Sequence, residues 1–165
     1  MRTKFLLLLL SGLFFACDMS DDVDTMLSKN SFIARRDNGT WTGTTEIGLT
    51  ANDTLIFLGI GEGLDNGVVV AKVKFDGVGR YKLNNQQGIY YNTLGGDVLI
   101  SSYAIGQGSE GVLSITEYNE ENGQIKGSFE MPLKATFLYG TGLKDSTLVV
   151  SDGRFNGFVV EGLFH

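Results

Sequence analysis

From Ser31 onward the apolar residues recur at every second position, and no stretch carries apolar residues at the i, i+3, i+4, i+7 spacing of a helix. In 68–75, Val69, Ala71, Val73 and Phe75 share one face while Lys72 and Lys74 share the other. That is the signature of a strand with one wet side. Arg80-Tyr81-Lys82-Leu83 repeats it. In 111–130, Leu113 and Ile115 alternate with polar neighbours, Asn119-Glu120-Glu121-Asn122-Gly123 supplies turn residues, and Ile125, Gly127 and Phe129 alternate back. A β-hairpin is predicted there. Asp65-Asn66-Gly67 and Ser151-Asp152-Gly153 predict two more turns, because Asn, Asp and Gly enter left-handed dihedrals at low cost. Leu55-Ile56-Phe57-Leu58-Gly59-Ile60 is apolar on both faces and predicts a strand covered on each side. Segments of this kind number roughly nine to eleven, at a spacing of about eight to twelve residues. The expected fold is all-β, an antiparallel sandwich or a small lipocalin-like barrel.

The first thirty residues break this pattern. Met1-Arg2-Thr3-Lys4 is basic, and the apolar run that follows, from Phe5 to Phe15, is broken only by Ser11 and Gly12. It is too short for the roughly 20 residues a spanning helix needs, and reads as a signal peptide over 1–16. Ala16-Cys17 at its end resembles a lipobox, in which a peptidase cuts before a lipidated cysteine. Cys17 is the only cysteine, so no disulfide is available and the fold must be held by its core. Each buried CH₂ of an acyl chain contributes about 0.8 kcal/mol, so several chains on one cysteine anchor firmly. Asp18, Asp21, Asp22 and Asp24 then form an acidic cluster. It resembles the surface-export signal of Bacteroidota lipoproteins, which implies the outer face of the outer membrane; the periplasm-facing leaflet is the alternative. Residues 17–30 are expected to be a flexible tether spanning on the order of 20 Å, and 31–165 a single domain.

Composition narrows the partners. The chain carries 13 basic against 19 acidic residues, a formal net charge of −6. Loss of Arg2 and Lys4 with the leader makes it more acidic still. Nucleic acid and anionic lipid surfaces are bound through excess Lys and Arg, so both are disfavoured. With 23 Gly and a single Pro, turns fall to Gly, Asn and Asp, while 11 Phe and 6 Tyr suffice for a core.

The layout of lipobox, Asn38-Gly39-Thr40-Trp41, the spaced Gly111, Leu113, Ile115 and Tyr118, the spaced Gly123, Ile125, Gly127 and Phe129, and Asp152-Gly153 followed by Phe155 resembles a family of uncharacterised Bacteroidota lipoproteins. The resemblance covers most of the mature chain, rests on loose glycine and aromatic spacings, and implies a lipoprotein address and an all-β domain. It brings no catalytic residue with it.

Candidate chemistry is sparse. The only histidine, His165, ends the chain, and Cys17 is consumed by lipidation, so His-based triads, thiol catalysis and Cys or His metal sites have no residues to use. No catalytic residue, metal site or cofactor is expected. Glu46, Glu62, Glu117 and Glu130 sit at alternating or turn positions that a solvated face explains, which leaves a carboxylate-based glycan hydrolase as an alternative needing two converging acids. Gly59-Ile60-Gly61-Glu62-Gly63 looks like a phosphate loop but has no helix behind it, so a flexible connection is expected. Asp65-Asn66 and the Asn119–Asn122 stretch are oxygen-rich but lack the spacing of a calcium loop. Trp41, Tyr90 and Tyr91 are the candidate ligand-facing aromatics, for a glycan or a protein ligand. Core packing is the commoner role of such residues, and Tyr90 and Tyr91 must point to opposite faces of a strand. Asp24-Thr25-Met26, Asp53-Thr54-Leu55 and Asp145-Ser146-Thr147 resemble the O-glycosylation motif of Bacteroidota exported proteins, making Thr25, Thr54 and Ser146 candidate acceptors. The functional expectation is a non-enzymatic binding or envelope-accessory module held to the membrane by its lipid; a structural subunit of an outer-membrane assembly is the third reading.

Overall fold

The computed structural model describes residues 27–37, 39–63, 66–140 and 146–164. The leader, Ala16 and Cys17, Thr25, and Asn38, Asp65 and Asp145 lie outside them. The alternation becomes ten strands: β1 (Ser31–Arg36), β2 (Gly39–Leu49), β3 (Thr54–Gly61), β4 (Val68–Lys74), β5 (Gly79–Leu83), β6 (Gly88–Leu94), β7 (Val98–Ile105), β8 (Gly111–Tyr118), β9 (Gln124–Leu138) and β10 (Thr147–Glu161). They form one sheet whose pairings return on themselves. From β1 the ladder runs through β2, β3, β4, β6, β7, β9 and β10, and β10 pairs with β1 again. The all-β expectation holds, in the form of a ring-like barrel. All pairings are antiparallel except β10 with β2, parallel over Val159–Glu161 against Ile47–Leu49.

β9 explains how ten strands fit this ring. One of its edges pairs with β10 from Gln124 to Lys134, while the other pairs first with β8, over Ile125 to Glu130, and then with β7, over Leu133 to Leu138. Pro132, the single proline, lies in the gap between those two neighbours. β5 in turn pairs with β8, so the β5–β8 pair occupies one end of the wall and the β6–β7 pair the other. Leu27, Asn30 and the turns 50–53, 75–78 and 119–123 mark one end of the barrel; Glu62, Gly67, the turn 95–97 and Tyr139 mark the opposite end.

The interior is filled. Phe32, Phe57, Phe129 and Phe155 pack ring against ring, with centroids 4.7 to 6.5 Å apart, among Leu55, Leu113, Ile115, Ile125, Met131 and Val150. The rings fit because glycines stand opposite them. A Cβ on Gly43 would lie 2.8 Å from the Phe32 ring and 1.9 Å from the Ile60 carbonyl oxygen, and one on Gly127 would meet Phe155. Small residues facing large ones let a narrow barrel close around aromatic side chains. A lipocalin's open calyx is replaced here by this packed centre.

Three local expectations change. Ser151-Asp152-Gly153 is a β-bulge within the 15-residue β10 and not a turn between two strands: the register shifts between Val150 and Gly153, with Asp152 at φ 51°. Gly59, Ile60 and Gly61 belong to β3, and the connection begins only at Glu62. Of the apolar run 55–60, Leu55, Phe57 and Gly59 are buried, while Ile56, Leu58 and Ile60 are half-buried on the outer face. The hairpin over 111–130 forms as expected, its turn tied by the Asn119 side chain, which accepts from the amides of Glu121 and Asn122.

Attachment of the chain to the barrel begins before β1. The Thr45 amide donates to the Asn30 carbonyl, and the Asn156 Nδ2 donates to the Leu27 carbonyl at 3.1 Å. Asn156 is one of few buried polar side chains and its Oδ1 accepts from Gln124 Nε2 at 3.4 Å. The four residues 27–30 are thus pinned to the barrel.

Candidate interaction surface

β6 and β7 outrun their neighbours. β4 pairs with β6 only from Val68–Tyr91 to Ala71–Gly88, and β9 reaches β7 no further than Ser101 opposite Leu138, apart from the Tyr139 amide, which donates to the Ile100 carbonyl at 2.8 Å. The ends of the pair, Thr93–Leu99 and Leu94–Val98, therefore stand beyond the rim as a two-stranded ribbon closed by Gly95-Gly96-Asp97. Gly95 and Gly96 have φ values of 65° and 87°, which glycine adopts without a Cβ penalty.

The ribbon carries apolar side chains into solvent. Leu94 is 68% exposed, Val98 50%, Leu99 39% and Ile100 37%; beside them on β9 and just past it stand Phe137 at 41% and Tyr139 at 71%. Leu94 stands opposite Val98 and Thr93 opposite Leu99, so neighbouring pairs point to opposite faces and the ribbon exposes apolar side chains on both. Charge is nearly absent: from Gly88 to Gly106 the only ionisable acid or base besides tyrosine is Asp97, at the apex. In a chain with net charge −6 this is the one long stretch of sheet without a field of its own.

The aromatics singled out in the sequence lie just inside this rim. Trp41 and Tyr90 are buried, their rings 5.9 Å apart and nearly perpendicular, with Phe32 4.7 Å from Trp41 and Tyr103 5.9 Å from Tyr90. Arg36 closes the cluster: Nη1 donates to the Tyr90 hydroxyl at 2.7 Å, and the guanidinium lies 5.6 Å from the Trp41 ring and 5.5 Å from the Tyr90 ring. Cation–π contact and a charge-assisted bond together hold the mouth of the barrel shut. Tyr91 points the other way and is half-buried on the outer face, next to Val68 and Ser102. Of the candidate acceptors, Thr54 opens β3 at the Leu27 end, its amide donating to the Thr50 hydroxyl, and Ser146 stands at the opposite end, its carbonyl accepting from the Ala135 amide. Both are half-buried.

Among the described residues no group of three or more His, Cys, Asp or Glu could hold a metal ion, and no helix is long and apolar enough to cross a membrane. No family model, no curated protein and no solved structure matches the chain. The exposed ribbon escapes sequence reasoning because Val98-Leu99-Ile100 has the composition of a buried strand. Only the length of the neighbouring strands decides that it is not.

Proposed function

We propose that this chain is an exported lipoprotein, anchored through Cys17, whose β6–β7 ribbon engages a protein partner as a non-enzymatic binding or envelope-accessory module. The observation that carries the reading is the exposed apolar ribbon at the end of the barrel opposite Leu27. A strand of eight residues rises roughly 26 Å, so the ribbon stands about 35 Å from the point where the chain meets the barrel. A tether leading from Leu27 back to an acylated Cys17 leaves that ribbon facing away from its own membrane. Asp97 at the apex opposes insertion into lipid, where an aspartate costs about 2.5–3.5 kcal/mol at the core. A protein surface with an apolar, uncharged face fits better. The outer face of the outer membrane is the proposed address.

Photo-crosslinking in intact cells tests this reading. A crosslinker placed at Leu99 is expected to give one discrete protein adduct, lost on Ile100→Glu, while the same group at Lys72 gives none. Lipid adducts alone at Leu99 would overturn the partner reading. The intact mass of the membrane-extracted chain is expected to show an acylated Cys17 with residues 1–16 removed, and an unmodified soluble chain would overturn the anchor.

A second reading, a hydrolase working through two carboxylates, gains one observation: Glu130 and Asp152 line the same surface groove. Glycan cleavage that disappears in Glu130→Gln would favour it.

A further inference from the structure

On the outer face of β5, β8, β9 and β10 lies a groove of about 470 Å³ lined by Arg80, Ser114, Ser128, Glu130, Asp152 and Arg154. Register sets its floor. Arg80 stands opposite Ser114, Ser114 opposite Ser128, and Ser128 opposite Arg154, so four neighbouring strands present Arg, Ser, Ser, Arg in a straight row. At about 4.8 Å per strand the row runs roughly 14 Å. Glu130 follows Ser128 by two residues and shares its face, and the bulge in β10 brings Asp152 beside it.

The charged side chains of this groove are solvent-exposed and reach no protein partner. Nearby charges on the same face pair off, Lys82 with Glu110 at 3.0 Å and Lys126 with Glu117 at 2.7 Å. Among the described residues the side chains of Arg80, Glu130, Asp152 and Arg154 make no ion pair and no hydrogen bond, although two cations and two anions line one groove. Asp152 holds a left-handed backbone, φ 51°, a conformation that Asp tolerates and that shapes the bulge. Bulges of this kind re-aim a side chain, and here the strand bends over the Phe129 ring, only 2.7 Å from where a Cβ on Gly153 would stand.

Such a groove has donors at both ends of one row, two acceptors beside it, and no net charge. The guanidinium groups donate, the carboxylates accept, and the two serine hydroxyls do both. A free ion gains little there, because the opposite charges cancel its field. Hydroxyl groups gain most, since each needs one acceptor and one donor. We propose that this groove binds a neutral, hydroxyl-rich chain, an oligosaccharide of about three units laid across β5, β8, β9 and β10. The site is separate from the apolar ribbon and does not depend on it.

The test is binding of the detergent-extracted full-length chain to neutral and acidic oligosaccharides of four to six units, followed by titration of the best neutral one. Retention of a neutral oligosaccharide is expected, with a dissociation constant that changes less than about twofold between roughly 50 and 300 mM salt. Arg154→Gln and Asp152→Asn are each expected to weaken it at least about tenfold, as loss of a charge-assisted hydrogen bond does. Lys72→Ala, on another part of the barrel wall, should leave it unchanged. Unfolding of each variant, followed by Trp41 fluorescence, separates lost binding from lost structure. Failure to retain any neutral oligosaccharide, or retention of acidic ones alone with steep salt dependence, overturns the proposal. Shortened products, absent with Glu130→Gln, would replace it by the hydrolase reading.

Discussion

Replacing Gly127 by alanine probes how tightly the barrel closes. Gly127 lies on β9 between Ile115 of β8 and Phe155 of β10. A Cβ there would stand 2.1 Å from the Ser114 carbonyl oxygen and 2.8 and 2.9 Å from two atoms of the Phe155 ring. Neither neighbour can move freely. The carbonyl belongs to the β8 backbone, and the Phe155 ring is 2% exposed with the Phe57 ring 4.7 Å away. Overpacking of this kind costs about 1–3 kcal/mol, and the backbone contact places Gly127→Ala at the upper end. About 0.5–1 kcal/mol returns because alanine loses less entropy in a strand than glycine. The net loss is about 2 kcal/mol, read as a urea midpoint lower by roughly 1 M and a Tm lower by about 6 °C. Trp41, the only tryptophan, is buried near the rim and reports the transition. Gly39→Ala is the control: its Cβ would meet only the Arg36 carbonyl oxygen, at 3.8 Å, so the midpoint should stay or rise slightly. Equal midpoints for Gly127→Ala and wild type would refute the packing argument.

Three further outcomes follow from side chains at the two ends. Asn156→Ala removes the donor to the Leu27 carbonyl and is expected to cost about 1–2 kcal/mol, with hydrogen exchange accelerated at 27–30 before the barrel strands. Arg36→Ala strips the cation from the Trp41–Tyr90 pair and should shift Trp41 emission while lowering stability by about 1–2 kcal/mol, measured by urea titration. Leu99→Glu with Ile100→Glu should leave stability within about 0.5 kcal/mol, since both side chains are partly in water already, yet sharply reduce binding of a hydrophobic fluorescent dye.

Much of the barrel is legible in the residues. The hairpin over 111–130 is readable because alternation flanks a five-residue turn whose Asn119 side chain caps its own backbone. Val69, Ala71 and Val73 point inward and Lys72 and Lys74 outward, as their order requires. Legibility fails where the answer depends on a neighbour. Ser151-Asp152-Gly153 has the left-handed chemistry that turns and bulges share, and only the continuing ladders to β1 and β9 make it a bulge. The parallel contact of β10 with β2 joins segments more than a hundred residues apart and leaves no local trace. The row Arg80, Ser114, Ser128, Arg154 exists only once three registers are known. For Trp41 and Tyr90 core packing is the commoner role and a ligand platform the alternative, and burial beside Phe32 and Arg36 puts them in the core.

The ring is closed by its first strand against its last. β1 takes β10 as a neighbour, Phe32 opposite Phe155, so the interior cannot be sealed until nearly the whole chain is available. Contacts of such sequence separation fold slowly, because their loop entropy is lost before they are rewarded. A chain emerging from a ribosome presents Phe32 long before Phe155, and must wait. That delay makes the last strand the latch, so trimming β10 should leave a protease-sensitive chain.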